Sequence, residues 1–166
     1  MKKLLITGGA GFIGSNLANF YSQQYQVFVI DDLSMGRVSN LQQTEQLVFI
    51  KGSVTDQQLL DEVLSKHSFE YIFHLAAVAS VASSVAQPLE THEVNFLSVL
   101  KILESIKKYQ KELKRFVFAS SAAVYGAEPT LPKRETSVIC PLSPYAIDKF
   151  AAERYVLNED RKSTRL

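Results

Sequence analysis

An α/β fold with a doubly wound parallel sheet is the architecture this sequence predicts. Five short apolar runs recur along its 166 residues, and stretches with helical spacing separate them. The first run passes through closely spaced glycines straight into a helical pattern. Strands alternating with helices of that length form parallel pairs, because a parallel connection has to cross over the sheet. Hydrophobic residues make up 46% of the chain, enough for one core. The expectation is one domain over residues 1–158 and a polar, disordered tail over 159–166.

Leu4 to Ile6 reads as the first strand, and the set Phe12, Ile13, Leu17, Phe20 and Tyr21 as the helix after the glycines. Gln26 to Ile30 is the second strand, ending at Asp31-Asp32, and Leu47 to Ile50 the third. Asp56 has the position and chemistry to cap a helix carrying Leu59, Leu60, Val63 and Leu64. Tyr71 to Leu75 is the fourth strand, running into a loop of small residues from Ala76 to Ala86. Val94, Leu97, Leu100, Leu103 and Ile106 mark a long amphipathic helix over Thr91 to Tyr109. Arg115 to Ala119 is the fifth strand, and Ser120-Ser121 opens a loop with Pro129, Pro132 and Pro141. Ser143-Pro144 starts the last helix, serine as N-cap and proline at the first helical position.

A formal net charge of +1 gives no sign of a nucleic-acid or membrane partner. Lys107, Lys108, Lys111, Lys114 and Arg115 read as the solvated end of a helix and its following turn. No apolar stretch approaches the ~20 residues of a membrane span, and Met1-Lys2-Lys3 precedes too short an apolar run for a signal peptide. Cys140 is the one cysteine, which suits a reducing, cytoplasmic compartment. His74, inside an apolar run, reads as a satisfied core histidine, and His67 and His92 as surface residues. No metal-ligand spacing is present.

The glycine stretch carries the first chemistry. Gly8-x-x-Gly11-x-x-Gly14 lies between a strand and a helix. Glycine permits a tight turn and close approach of a pyrophosphate, and a helix N-terminus offers free N–H groups and a positive dipole end. Asp31 ends the second strand, where a dinucleotide's adenosine ribose lies; a carboxylate there accepts from ribose hydroxyls and repels a 2′-phosphate, favouring NAD over NADP. An acidic turn is the plain alternative, and Arg37 nearby keeps an NADP-dependent reductase open. In a doubly wound sheet the glycine loop, Asp31, Ser53, the loop at Ala76 and Ser121, which all follow strands, should converge on one edge.

Tyr145 and Lys149 are four apart on a helix and share a face. A tyrosine hydroxyl ionises near ~10 and is a poor base at neutral pH. A neighbouring ammonium favours the phenolate. With a serine hydroxyl from a strand end, this makes a proton path for oxidising an alcohol while a nicotinamide takes the hydride. Asn95, beside the apolar face of its helix, is either solvated or holds a backbone segment or site residue.

Read in order, Thr7-Gly-Gly-Ala-Gly-Phe-Ile-Gly14, Asp31-Asp-Leu33, His74-Leu-Ala-Ala77, Ser120-Ser-Ala-Ala-Val-Tyr-Gly126 and Pro144-Tyr-Ala-Ile-Asp-Lys149 resemble the extended short-chain dehydrogenases. Within them the chain resembles the NAD-dependent nucleotide-sugar epimerase/dehydratase family, from residue 1 to about Asn158. The resemblance implies a Rossmann domain with Ser121, Tyr145 and Lys149 as catalytic residues. It implies NAD contacts from Gly8, Gly11, Phe12, Ile13, Gly14, Asp31, Asp32, Ser34, Ser53, Val54, Leu75, Ala76, Ala77, Asn95, Tyr145 and Lys149. Phe12 and Ile13 match residues over the pyrophosphate, and Asn95 the asparagine that steadies the site. Family dehydratases usually carry an acid between positions matching Ser121 and Tyr125; Ala122 and Ala123 stand here. That resembles a UDP-glucose 4-epimerase, acting on a UDP-hexose, more than a 4,6-dehydratase. Family subunits pair through helices matching 92–109 and 145–158, so a homodimer is expected.

Three positions depart from the family pattern. Ser53 stands where the family usually has an Asp for the adenine, Ser98-Val99 where it has Gly-Thr, and Ala79 where some epimerases have Lys. Family members also continue for about as many residues again, with a sixth strand and a substrate domain. The expectation is therefore either a truncated epimerase or a catalytically silent remnant that binds NAD or dimerises.

Overall fold

The computed structural model describes residues 1–163. They fall into two compact units, 1–76 with 101–119, and 77–100 with the described residues from 120 onward.

The first unit holds the sheet. Strands β1 (Lys3–Thr7), β2 (Gln26–Asp31), β3 (Leu47–Lys51), β4 (Tyr71–His74) and β5 (Arg115–Phe118) lie in the order β3-β2-β1-β4-β5. All four pairings are parallel, with Leu5 of β1 in register with Phe28 of β2 and Ile72 of β4. The five-stranded, doubly wound parallel sheet expected from the apolar runs is present. Helix α1 (Phe12–Tyr21) follows β1 and helix α2 (Gln57–Lys66) follows β3.

Both faces of the sheet are covered, which is why its strands read as nearly continuous apolar runs. Leu4, Ile6, Val27 and Val29 form one core cluster with Ala10, Ala18 of α1 and Leu41. Side chains alternate along a strand, so Leu5, Phe28, Ile30 and Ile72 turn to the opposite face. The apolar periodicity of α1 misleads in one respect. Its packed side is made by Gly14, Ser15 and Ala18, whereas Phe12, Ile13 and Phe20 are exposed at 85%, 64% and 59%. Small residues bring this helix close to the sheet, Leu17 and Tyr21 pack partly against the core, and Phe12, Ile13 and Phe20 stay outside.

Asp56 caps α2 as expected, accepting from Gln58 N–H at 2.9 Å and Leu59 N–H at 3.1 Å. His74 is a core histidine, 1% exposed, bonded to the Thr7 hydroxyl at 2.9 Å. His67 departs from its surface expectation: it is half-buried, its ring centroid 4.4 Å from that of Phe28, with the Lys3 ammonium 3.2 Å from Nδ1. Burial, then the charges of Lys3 and Lys66, hold it below the usual imidazole range.

The second unit is helical. The loop expected over 76–86 contains helix α3 (Val81–Ala86), and α4 (Pro88–His92) follows at once. Ser80 caps α3 with its hydroxyl, a local bond that small polar residues make readily. The long helix predicted from Thr91 is broken: a π-turn over Glu93–Leu97 precedes α5 (Ser98–Tyr109). Such one-turn widenings leave the apolar spacing almost intact, so periodicity does not reveal them. The last helix, α6 (Pro144–Ser163), continues into the stretch expected as a polar tail, and residues 164–166 lie outside the described residues. Among the described residues no helix is long and apolar enough to cross a membrane.

Gln110, just past α5 in the first unit, is 6% exposed and satisfies three backbone groups. Its carbonyl accepts from Phe69 N–H at 2.8 Å, and its amide donates to Leu64 O at 2.5 Å and His67 O at 2.7 Å. Gln110→Leu fills similar volume and strands those groups, so it should lower unfolding free energy by about 3 kcal/mol. Urea denaturation would measure this, and a loss below about 1 kcal/mol would show that the three bonds contribute little.

Candidate functional site

In the first unit, β1 ends in a turn that only glycine fits. Gly8 has φ +69°, and a Cβ there would lie 2.7 Å from Ala76 N. Gly14 packs α1 against the same turn, since a Cβ on it would sit 2.3 Å from Gly8 O. Gly11 is the N-cap of α1 and offers no side-chain cap, and the first turn holds no acid. The first N–H groups of α1 are therefore available to an anion, with the dipole in its favour. Gly11, Phe12, Ser15, Asn16, Asn19, Met35, Arg37 and Asn40 line a groove beside this helix start. These features fit a dinucleotide pyrophosphate.

Asp31 is 8% exposed and more occupied than its sequence position suggests. One carboxylate oxygen accepts from Ala10 N–H at 2.9 Å and the other from Leu33 N–H at 2.8 Å. Leu33 has φ 65°, a left-handed conformation that the second bond helps to hold. A carboxylate has about four lone-pair directions, so each oxygen retains capacity for a ribose hydroxyl. Asp32 accepts from Ser34 N–H at 2.9 Å. Ser53 is turned inward, 2.9 Å from the Thr55 hydroxyl, and Val54 is buried. Leu75 N–H donates to Thr7 O at 3.1 Å, which carries the chain from β4 to Ala76 beside the glycine turn.

The second unit holds Ala77, Asn95, Ser121, Tyr145 and Lys149. Asn95, on the π-turn, is 1% exposed. Its Oδ1 accepts from Val78 N–H at 2.8 Å and its Nδ2 donates to Val78 O at 3.0 Å. Of the two readings left open for it, holding a backbone segment is the one observed. Ser121 accepts from Ala123 N–H at 3.2 Å, capping a 3-10 turn over Ala122–Tyr125. That turn is pinned by Cys140, whose N–H donates to Val124 O at 3.1 Å. The Ser121 hydroxyl proton is left to donate elsewhere.

Tyr145 and Lys149 occupy the first turns of α6. Ser143 caps this helix at Ala146 N–H, 3.2 Å away, and the Ser84 hydroxyl of α3 accepts from Tyr145 N–H at 3.2 Å. Lys149 is 3% exposed, and burial pulls its ammonium down from the usual 10.5 to about 8. Ser84 and the neighbours of Asp148 went unnoticed in the sequence, because small polar residues in a helical stretch carry no periodic signal. His92, expected on the surface, is half-buried and bonded through Nδ1 to Asp148 Oδ1 at 2.7 Å.

The family model for GDP-mannose 4,6 dehydratase matches residues 5–164. The chain belongs to this family. UDP-glucose 4-epimerase of Halalkalibacterium halodurans is 37% identical over 152 residues, covering 91% of this chain and 44% of that protein. The crystal structure of UDP-glucose 4-epimerase with UDP-glucose from Thermotoga maritima is 39% identical, with a TM-score of 0.89 over 96% of this chain and 51% of that one. The epimerase from Brucella ovis in complex with NAD is 31% identical, with a TM-score of 0.86 over 97% of this chain and 48% of that one. The chain spans about half the length of the curated relatives first matched, 44% and 49%.

The Lys149 shift has a thermodynamic consequence. Its folded pKa, about 8, lies below the ordinary 10.5, so the unfolded chain binds more protons between those values and stability rises with pH there. Below pH 8 both states are protonated and the full penalty of the buried charge is present. Lys149→Met should therefore be more stable than the parent at pH 7, with the difference shrinking as pH rises through 8 towards 10. A pH-independent difference in denaturation midpoints would contradict the assignment.

Proposed function

We propose that this chain is the NAD-binding and proton-handling part of a nucleotide-sugar epimerase acting on a UDP-hexose. The observation that carries the reading is a buried lysine one helical turn after Tyr145, at 3% exposure. Tyr145 takes the proton from the sugar hydroxyl being oxidised and returns it. The Ser121 hydroxyl donates to that same oxygen, and Lys149 supplies the adjacent nitrogen that eases proton transfer from the phenol. NAD, when bound, supplies the hydride acceptor. The glycine turn and the start of α1 hold its pyrophosphate, and Asp31 its adenosine ribose, with Asp32, Ser34, Ser53 and Val54 along the same side. Phe12 and Ile13 are its pyrophosphate contacts, and Leu75, Ala76, Ala77, Asn95, Tyr145 and Lys149 are further contacts of the cofactor. Ala122 and Ala123 leave no acid for an elimination, which favours epimerisation over 4,6-dehydration.

The lone Cys140 supports a reducing, cytoplasmic setting. A homodimer through helices 92–109 and 145–158 is supported by α6, which leaves Ile147, Tyr155 and Leu157 exposed at 53%, 48% and 42%. A second reading is NAD binding or dimerisation without sugar turnover.

Titration calorimetry with NAD and NADP tests the cofactor, and NAD should bind at least about tenfold tighter because of the carboxylates near the ribose. Tighter NADP binding would overturn the role given to Asp31. Interconversion of UDP-glucose and UDP-galactose tests the reaction: it should fall by about 10²- to 10⁴-fold in Tyr145→Phe with NAD affinity retained. NAD binding with no interconversion in the parent chain would leave the second reading standing.

A further inference from the structure

We propose that His92 is a positioning residue for Lys149, acting through the carboxylate of Asp148. The inference rests on the role given above to Tyr145 and Lys149, and adds what sets their direction. Asp148 immediately precedes Lys149 on α6 and is 5% exposed. A carboxylate so deep requires hydrogen-bond partners. Among the described residues its one hydrogen bond comes from His92, at 2.7 Å to Oδ1, while Oδ2 is buried without a partner. The bond is the one that a ring N–H at Nδ1 donates to a carboxylate oxygen.

The place of His92 in the chain gives this bond its leverage. It is the last residue of α4 and directly precedes the π-turn. Three positions on, Asn95 grips Val78 by both its N–H and its carbonyl. One short strip thus holds the segment at Val78 with one side chain and α6 with another. The His92 ring also lies 5.0 Å from that of Phe96, which meets Tyr155 of α6 edge-on at 5.5 Å. Apolar contact of this kind tolerates rotation of a helix about its axis. A directional bond to a buried carboxylate does not. Because Asp148 and Lys149 are consecutive on a rigid helix, the bond that orients the first orients the second.

The test is a 13C NMR titration of Lys149 in the full 166-residue chain, its Cε resonance assigned by comparison with Lys149→Met. His92→Phe keeps a ring against Phe96 and removes the donor, and His92→Gln restores a donor without the ring. A third variant, His92→Phe with Asp148→Leu, replaces the pair by apolar groups and so avoids an unpaired buried charge. The parent should titrate near 8. His92→Phe should move the midpoint upward by about one unit, a tenfold change in proton affinity, and the double variant by less, because it also removes the carboxylate charge that favours the ammonium. His92→Gln should stay with the parent. An unmoved midpoint in His92→Phe overturns the inference, and so does loss of folding in both Phe variants while His92→Gln folds, since the link then serves folding alone. A parent chain in which Lys149 titrates at its ordinary value would instead sink the role given to the Tyr145–Lys149 pair. The two failures are therefore distinguishable.

Discussion

The carboxylate of Asp31 is the tie on which the cofactor side depends. It lies at the end of β2 yet bonds the glycine turn after β1, through Ala10 N–H, and its own following turn, through Leu33 N–H. Two loops that leave neighbouring parallel strands are thereby held as one piece. The charge adds strength, since bonds to an ionised acceptor are roughly twice as strong as neutral ones. The carboxylate proposed to meet a ribose is also the brace that shapes the glycine turn. Any substitution of Asp31 consequently loosens that turn, whatever it does to the proposed contact.

The second unit uses the same device with neutral groups. Asn95 holds Val78, Ser84 holds the start of α6, and Ser121 caps the 3-10 turn. Side chains reach for backbone N–H and C=O groups that no sheet ladder satisfies. In an irregular segment this is the economical solution, because every buried polar group of the main chain needs a partner. The π-turn belongs to this pattern, presenting Asn95 inward while α5 continues its apolar face.

The sheet was legible in the sequence because strands buried on both faces are apolar throughout, and Leu47 to Ile50 or Val27 to Ile30 admit few other readings. Gly8, Asp31 and the Tyr145–Lys149 spacing were legible for a different reason: each answers a need of backbone or chemistry that few residue types meet. The side of α1 that packs is not legible from bulk, which does not tell a partly buried Leu17 from an exposed Phe20. The small-residue stretch after Ala76 hid α3, whose cap and packing are built from serines and alanines. His92 resisted reading because its partner lies 56 positions away, and only the folded chain brings the two together.

Phe12, Ile13 and Met35 stand 85%, 64% and 90% exposed close to the glycine turn. These apolar side chains flank the uncapped start of α1 and stand in water. Left bare, they make a sticky surface. Handling of the purified chain should reflect this: any ligand or partner that covers these side chains lowers the light it scatters on standing.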